Sequence, residues 1–147
     1  MTRVEVRIEA PAAGLGAAEI RRVVEHAVTR EGGDLALSVA VVDDRRIHDI
    51  NRRYLDHDWP TDVITFDLRD DGEDDPEAAD GEIVVSSETA AREAAERGHA
   101  AATELLYYCV HGVLHLLGWD DATDAERDAM LARQSELLGE LGYEVST

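Results

Sequence analysis

Between Ala101 and Leu117 the chain presents apolar side chains in almost every direction around a helix: Leu105, Leu106, Cys109, Val110, Val113, Leu114, Leu116 and Leu117. A helix of that kind must be enclosed by the rest of the protein. Its one polar stripe is Glu104, Tyr108, His111 and His115, at spacings of four, three and four. Positions four apart on a helix differ by about 40° and share a face. The imidazoles of His111 and His115 can therefore point at one metal ion. Gly118 is placed to end the helix in the left-handed conformation, and the turn after it can carry Asp120 or Asp121 back towards the same point. Two nitrogens, one carboxylate oxygen and a fourth position open to water make up the donor set of a catalytic zinc site. The stripe as a whole is expected to meet this ion. Glu104 reads as an exposed first-turn carboxylate, with orientation of a ligand as the alternative.

A lone histidine in an apolar helix is usually a hydrogen-bonded core residue. A pair at helical spacing, followed by a turn with two aspartates, is a stronger signal, although short motifs also arise by chance. The pattern is not that of the zinc proteases, in which a glutamate follows the first histidine as general base. Here that position is Gly112. Cys109 lies two residues from His111, on nearly the opposite side of the helix, and reads as a small buried hydrophobe.

At 147 residues the chain fits one domain, spanning residues 1–147, with room for a proper core. A single cysteine permits no internal disulfide, as expected of a reducing compartment. No apolar run approaches the roughly 18 residues of a membrane span, and Met1 to Glu5 shows no signal-peptide core. The expected location is the cytoplasm. The formal net charge is −19, and every basic residue is an arginine. Such acidity argues against a sequence-independent grip on nucleic acid, which needs basic side chains at phosphates. It leaves room for a local basic patch on an acidic body.

The remaining elements follow in order. Residues 3–9 alternate and predict a strand with Val4, Val6 and Ile8 on the buried face. Apolar positions at Ile20, Val23, Val24, Ala27 and Val28 predict a helix over 15–30, with His26 on its solvated side. Leu35 to Val42 is an interior strand. Asp43 or Asp44 caps a helix that runs through Leu55. Residues 62–68 are the next strand, 70–80 an acidic solvated loop, and 81–85 a fourth strand. Ser86 or Ser87 caps a helix to Gly98. Thr123 and Glu126 form a capping box that opens a last helix, with Met130, Leu131, Leu137, Leu138 and Leu141 inward. Four strands and about five helices predict an α+β domain: a small mixed four-stranded sheet packed with helices, the central buried one carrying the histidines. Strand order is not readable from this.

Three stretches together resemble one family. The run His111-Gly-Val-Leu-His115-Leu-Leu-Gly118-Trp-Asp-Asp121 resembles the signature of the YbeY endoribonucleases, His-Gly-x-Leu-His-Leu-x-Gly-(aromatic)-Asp-His. Pro60-Thr-Asp-Val-Ile-Thr-Phe66 resembles the family's Pro-Thr-Asp-Val-Leu-Ser-Phe, and Asp80-Gly-Glu-Ile-Val-Val-Ser86 its Gly-Asp-Ile-x-Ile segment. Size and element order agree as well, so the resemblance covers most of the chain.

The resemblance implies a single-strand-specific, metal-dependent endoribonuclease of small-subunit rRNA 3′ maturation and ribosome quality control, with one zinc ion per chain. The implied ligands are His111, His115 and the residue at the family's third histidine, which here is Asp121. A carboxylate is a legitimate zinc ligand; it lowers the positive charge of the site and favours harder metals somewhat more than an imidazole does. Asp120 and Asp124 remain alternatives for the third ligand. Much of the family carries an arginine five residues before the proline of the Pro-Thr motif; here that position is Leu55. Arg52 and Arg53 lie just upstream, and with Arg45 and Arg46 they form the one dense basic cluster, which is either an RNA contact or the solvent face of a helix. His48 and His57 beside it read as surface residues. No catalytic acid or base is assigned. RNA and the ribosome are the implied partners, with Era-type GTPases and ribosomal proteins implied for the family. Two alternatives are carried forward: a ribosome-associated binding protein with a structural metal, favoured by the charge and by Leu55, and a metal-dependent hydrolase of another substrate.

Overall fold

A computed structural model describes residues 2–55, 61–69 and 78–146. In these residues the chain forms β1 (Arg3–Ile8), α1 (Ala17–Arg30), β2 (Ala36–Val42), α2 (Asp44–Leu55), β3 (Val63–Asp67), β4 (Gly81–Ser86), α3 (Ser87–Arg97), α4 (Ala101–Leu116) and α5 (Asp124–Gly139). The expected α+β content is present, and the bounds agree with the sequence reading to within a residue or two. The predicted caps form as well. The Asp43 carboxylate accepts from the Arg46 amide at 2.8 Å, Ser86 Oγ from the Thr89 amide at 3.2 Å, and Thr123 Oγ1 from the Glu126 amide at 3.1 Å. His57, Trp59, Pro60 and most of the acidic loop lie outside the described residues.

The strand order is β1-β2-β4-β3, with β1, β2 and β4 parallel and β3 antiparallel to β4. Interior strands buried on both faces explain the nearly continuous apolar runs of β2 and β4. Val39, Val41, Ile83 and Val85 face the larger core, with α1, α4 and α5. Ala40, Val42, Val84 and Ile64 face the smaller one, closed by Ile47 and Ile50 of α2. Thus α4 lies over one face of the sheet and α2 over the other. Residues Leu105, Leu106, Cys109, Val110, Val113 and Leu114 of α4 are fully buried, as its sequence requires.

Two expectations need correction. Ile8 is 40 % exposed: it is the last residue of β1, and β1 is an edge strand. Glu104 is completely buried, not an exposed first-turn carboxylate. His99 Nε2 lies 2.5 Å from its Oε1 and Arg97 Nη1 lies 3.3 Å from its Oε2. These two partners, one at the end of α3 and one in the α3–α4 connection, make burial of the charge tolerable. His26 lies on the partly exposed side of α1, as expected, where its Nε2 contacts Glu140 Oε1 at 2.8 Å.

Candidate metal centre

The site is built at the end of α4, and its placement begins with Gly112. A Cβ there would come within 2.9 Å of two Ile83 side-chain carbons. The absence of a side chain lets α4 lie close against β4. His111 and His115 lie on either side of Gly112 in sequence and line one cavity with residues of β3. Helix α4 then closes with a Schellman turn. Gly118 has φ +97°, its amide donates to His115 O at 3.1 Å, and the Trp119 amide donates to Leu114 O at 2.9 Å. Arg69 adds a second clasp, donating to Leu116 O at 2.5 Å while paired with both Asp67 carboxylate oxygens.

The turn delivers Asp121. His111 Nε2 and His115 Nε2 are 3.0 Å apart, and Asp121 Oδ2 lies 3.7 Å from the first and 3.3 Å from the second. Among the described residues this is the group whose ligand atoms could hold a metal ion. Tetrahedral zinc with bonds of about 2.0–2.1 Å places its ligand atoms roughly 3.3–3.4 Å apart, so the triangle suits such an ion. Of the alternatives for the third position, Asp120 accepts the Asp121 amide at 3.2 Å, and Asp124 pairs with Arg127 at 2.7 Å. Neither belongs to the cluster around the histidines.

The polar stripe does not reach the site as a whole. Glu104 lies about 16 Å along the helix axis from His115 at 1.5 Å per residue. The Tyr108 hydroxyl is buried with no hydrogen-bond partner among the described residues, and burial, with Glu104 nearby, pushes its pKa well above the ordinary phenol value. Cys109 is fully buried and its thiol is pushed up to about 12, so it behaves as the expected hydrophobe. Burial lowers the His111 pKa, against the hydrogen bond that His111 makes to Gln134 Oε1, with His115 lowering it further. A neutral imidazole is the form a metal needs.

A cavity of about 460 Å³ opens in front of the histidines, lined by Asn51 and Leu55 of α2, Thr61, residues of β3, and Leu116. Leu55 therefore stands in the cleft itself. The arginines lie on the solvent side of α2: Arg46, Arg52 and Arg53 converge on the Asp49 carboxylate at 3.5, 3.0 and 3.7 Å. Arg45, Arg46, His48 and Arg52 line a separate surface concavity. The cluster is thus beside the cleft and not in it.

Sequence reasoning missed Gln134, Arg69 and Asn51. Gln134 is fully buried on α5 and bonds to His111 Nδ1 at 2.9 Å. A signal was available, since Gln134 falls four residues after Met130 and three before Leu137, a polar residue on an otherwise apolar face.

Comparisons with known proteins show what the chain is similar to. The family model for Endoribonuclease YbeY matches residues 10–142. Endoribonuclease YbeY of Moorella thermoacetica is 42% identical over 132 residues, covering 84% of this chain and 85% of that protein. The protein of the same name from Bacillus licheniformis is 39% identical over 139 residues, covering 88% of each. The solution structure of TM1509 from Thermotoga maritima superposes with a TM-score of 0.65 at 28% identity, covering 96% of this chain and 91% of that one. Signature residues, element order and matches over most of the length lead to one conclusion: the chain belongs to the endoribonuclease YbeY family.

Proposed function

We propose that this protein is a zinc-dependent endoribonuclease that cuts single-stranded RNA during maturation of the small-subunit rRNA 3′ end. The activity is carried by a single domain spanning residues 1–147. The observation that carries the reading is the triangle of His111 Nε2, His115 Nε2 and Asp121 Oδ2 at the head of an open cleft. His111, His115 and Asp121 would hold the ion, which supplies Lewis-acid stabilisation at a scissile phosphate and acidifies bound water. The chain's own residues do the rest. Thr61 and Thr65 offer hydroxyl groups along the cleft wall. Leu55 offers an apolar surface where an extended, unpaired strand can lie. Arg45, Arg46, Arg52 and Arg53 form a basic ridge beside that entrance and would meet phosphates flanking the cut. Asp49 neutralises part of that ridge, which keeps the grip local on a chain of net charge −19.

No helix among the described residues is long and apolar enough to cross a membrane. A cytoplasmic site of action on the ribosome, where ribosomal proteins and an Era-type GTPase are candidate partners, is proposed from the family resemblance. The test is metal content and RNase activity on one preparation, wild type beside Asp121→Ala. About one zinc per chain, with zinc and single-strand cleavage both lost in the variant, is the expected result. Leu55 favours a second reading, a ribosome-associated protein with a structural metal; zinc without cleavage in the wild type would establish it. For the ridge, the double variant Arg52→Gln/Arg53→Gln should weaken binding to unstructured RNA and flatten its salt dependence. The slope of log affinity against log salt should fall by about 0.7 for each phosphate that is no longer neutralised.

A further inference from the structure

We propose that Gln134 is a positioning residue of the metal centre: it holds the proton of His111 on Nδ1, so that Nε2 turns a bare lone pair towards His115 and Asp121. The inference rests on the reading of His111, His115 and Asp121 as metal ligands.

A side-chain amide can present either its oxygen or its nitrogen to a neighbour, and here the second contact decides. Gln134 is fully buried. Its Nε2 lies 3.2 Å from the carbonyl oxygen of Tyr107, an atom that only accepts. The amide nitrogen must therefore face Tyr107, since the opposite rotation would set two oxygens together. Its Oε1 then lies 2.9 Å from His111 Nδ1. An oxygen there requires a hydrogen on Nδ1. A neutral imidazole has one N–H, so Nε2 is left as the acceptor.

The alternative tautomer has a real competitor to favour it. Asp121 Oδ2 stands 3.7 Å from His111 Nε2, and a carboxylate attracts the imidazole proton to that side. A proton on Nε2 would occupy the lone pair that a metal ion needs. Gln134 offers the nearer, buried acceptor on the other nitrogen and keeps the proton away from the ligand triangle. Its own hold on the Tyr107 carbonyl, within α4, ties α5 to the helix that carries both histidines. That makes the orientation of the imidazole part of the core.

The test uses the full chain as wild type, Gln134→Leu and Gln134→Glu. Zinc affinity is measured by competition with a chromophoric chelator, and the His111 tautomer by long-range nitrogen–proton NMR on zinc-free protein. We expect the Nδ1–H tautomer in the wild type and a 10–100-fold weaker zinc affinity in Gln134→Leu. Gln134→Glu keeps an acceptor at His111 but sets an oxygen against the Tyr107 carbonyl, so it should fold less stably while its folded fraction binds zinc within a few-fold of wild type. An Nε2–H tautomer in the wild type, unchanged affinity in Gln134→Leu, or a Gln134→Glu variant as weak as Gln134→Leu would each overturn the proposal. If Gln134→Leu does not fold, the wild-type tautomer and the glutamate variant decide. A wild type that takes up no zinc, or keeps it after His115→Ala, would overturn the metal reading and this proposal together. Intact wild-type zinc binding with a Gln134→Leu affinity that does not change removes the positioning role alone.

Discussion

The two ends of α4 carry the same residue types and do opposite things with them. At its start, His99 and Glu104 form a sealed pair, with side chains 3 % and 0 % exposed. His99 Nδ1 accepts the Ser146 amide at 3.0 Å, so Nε2 carries the hydrogen and donates it to Glu104. Lone pair and proton are both used, and nothing remains for a ligand. At the other end, His111 Nδ1 donates to Gln134 Oε1, and the Nε2 atoms of the two histidines and Oδ2 of Asp121 converge on one open point. The histidine and aspartate side chains there stay 21–39 % exposed. Whether a histidine–carboxylate pair is a structural bond or a metal site is settled by what the other ring nitrogen meets.

The largest expected effect breaks the open end. His115→Ala should reduce cleavage and zinc affinity by more than about 100-fold, beyond the range for residues that only orient ligands. The zinc-free variant should still melt within about 1 kcal/mol of the zinc-free wild type, because His115 is partly exposed and fills no core space. The sealed end should behave in reverse. Glu104→Ala leaves Arg97 and His99 without their buried acceptor and should cost about 3 kcal/mol or more in thermal or denaturant unfolding. Zinc stoichiometry should survive in whatever fraction stays folded. A loss of zinc in Glu104→Ala without a loss of stability would erase the contrast.

Smaller effects sharpen it. Gly112→Ala forces a methyl against Ile83 and should cost about 1–3 kcal/mol through overpacking, with zinc affinity falling as α4 lifts from β4. The third histidine–carboxylate contact, His26 to Glu140, is a surface control. Hydrogen bonds from Arg30 and then His26 bring the Glu140 carboxyl down to about 2 from an ordinary value of 4.5. A carboxyl lowered in the folded state stabilises above its unfolded value, and that contribution fades as pH falls towards the folded one. The melting difference between wild type and Glu140→Gln should therefore be present at pH 7 and close between about pH 4.5 and 2. Zinc binding should be the same in both.

Much of this was legible along the chain. The apolar run of α4, the histidines four apart, the left-handed Gly118 and the Thr123–Glu126 box are local relations that helix geometry alone interprets. Their bounds came out nearly right for that reason. The misreadings share a cause. Glu104 stands in the first turn of its helix, a position usually solvated, and only the docking of His99 and the Ser146 backbone seals it. Ile8 continues a good alternation but lies at the end of an edge strand. Gln134 was passed over because its partner is 23 residues away on another helix.

Periodicity states which side chains share a direction about their own helix or strand axis, and it sufficed for the buried helix and the paired histidines. It carries no information on what occupies that direction. The order β1-β2-β4-β3, the delivery of Asp121 in place of Asp120 or Asp124, the cleft between α2 and β3, and the amide behind His111 all depend on packing between distant segments. Those contacts are set by side-chain volume and by the need of every buried polar group for a partner, and only the folded chain resolves them.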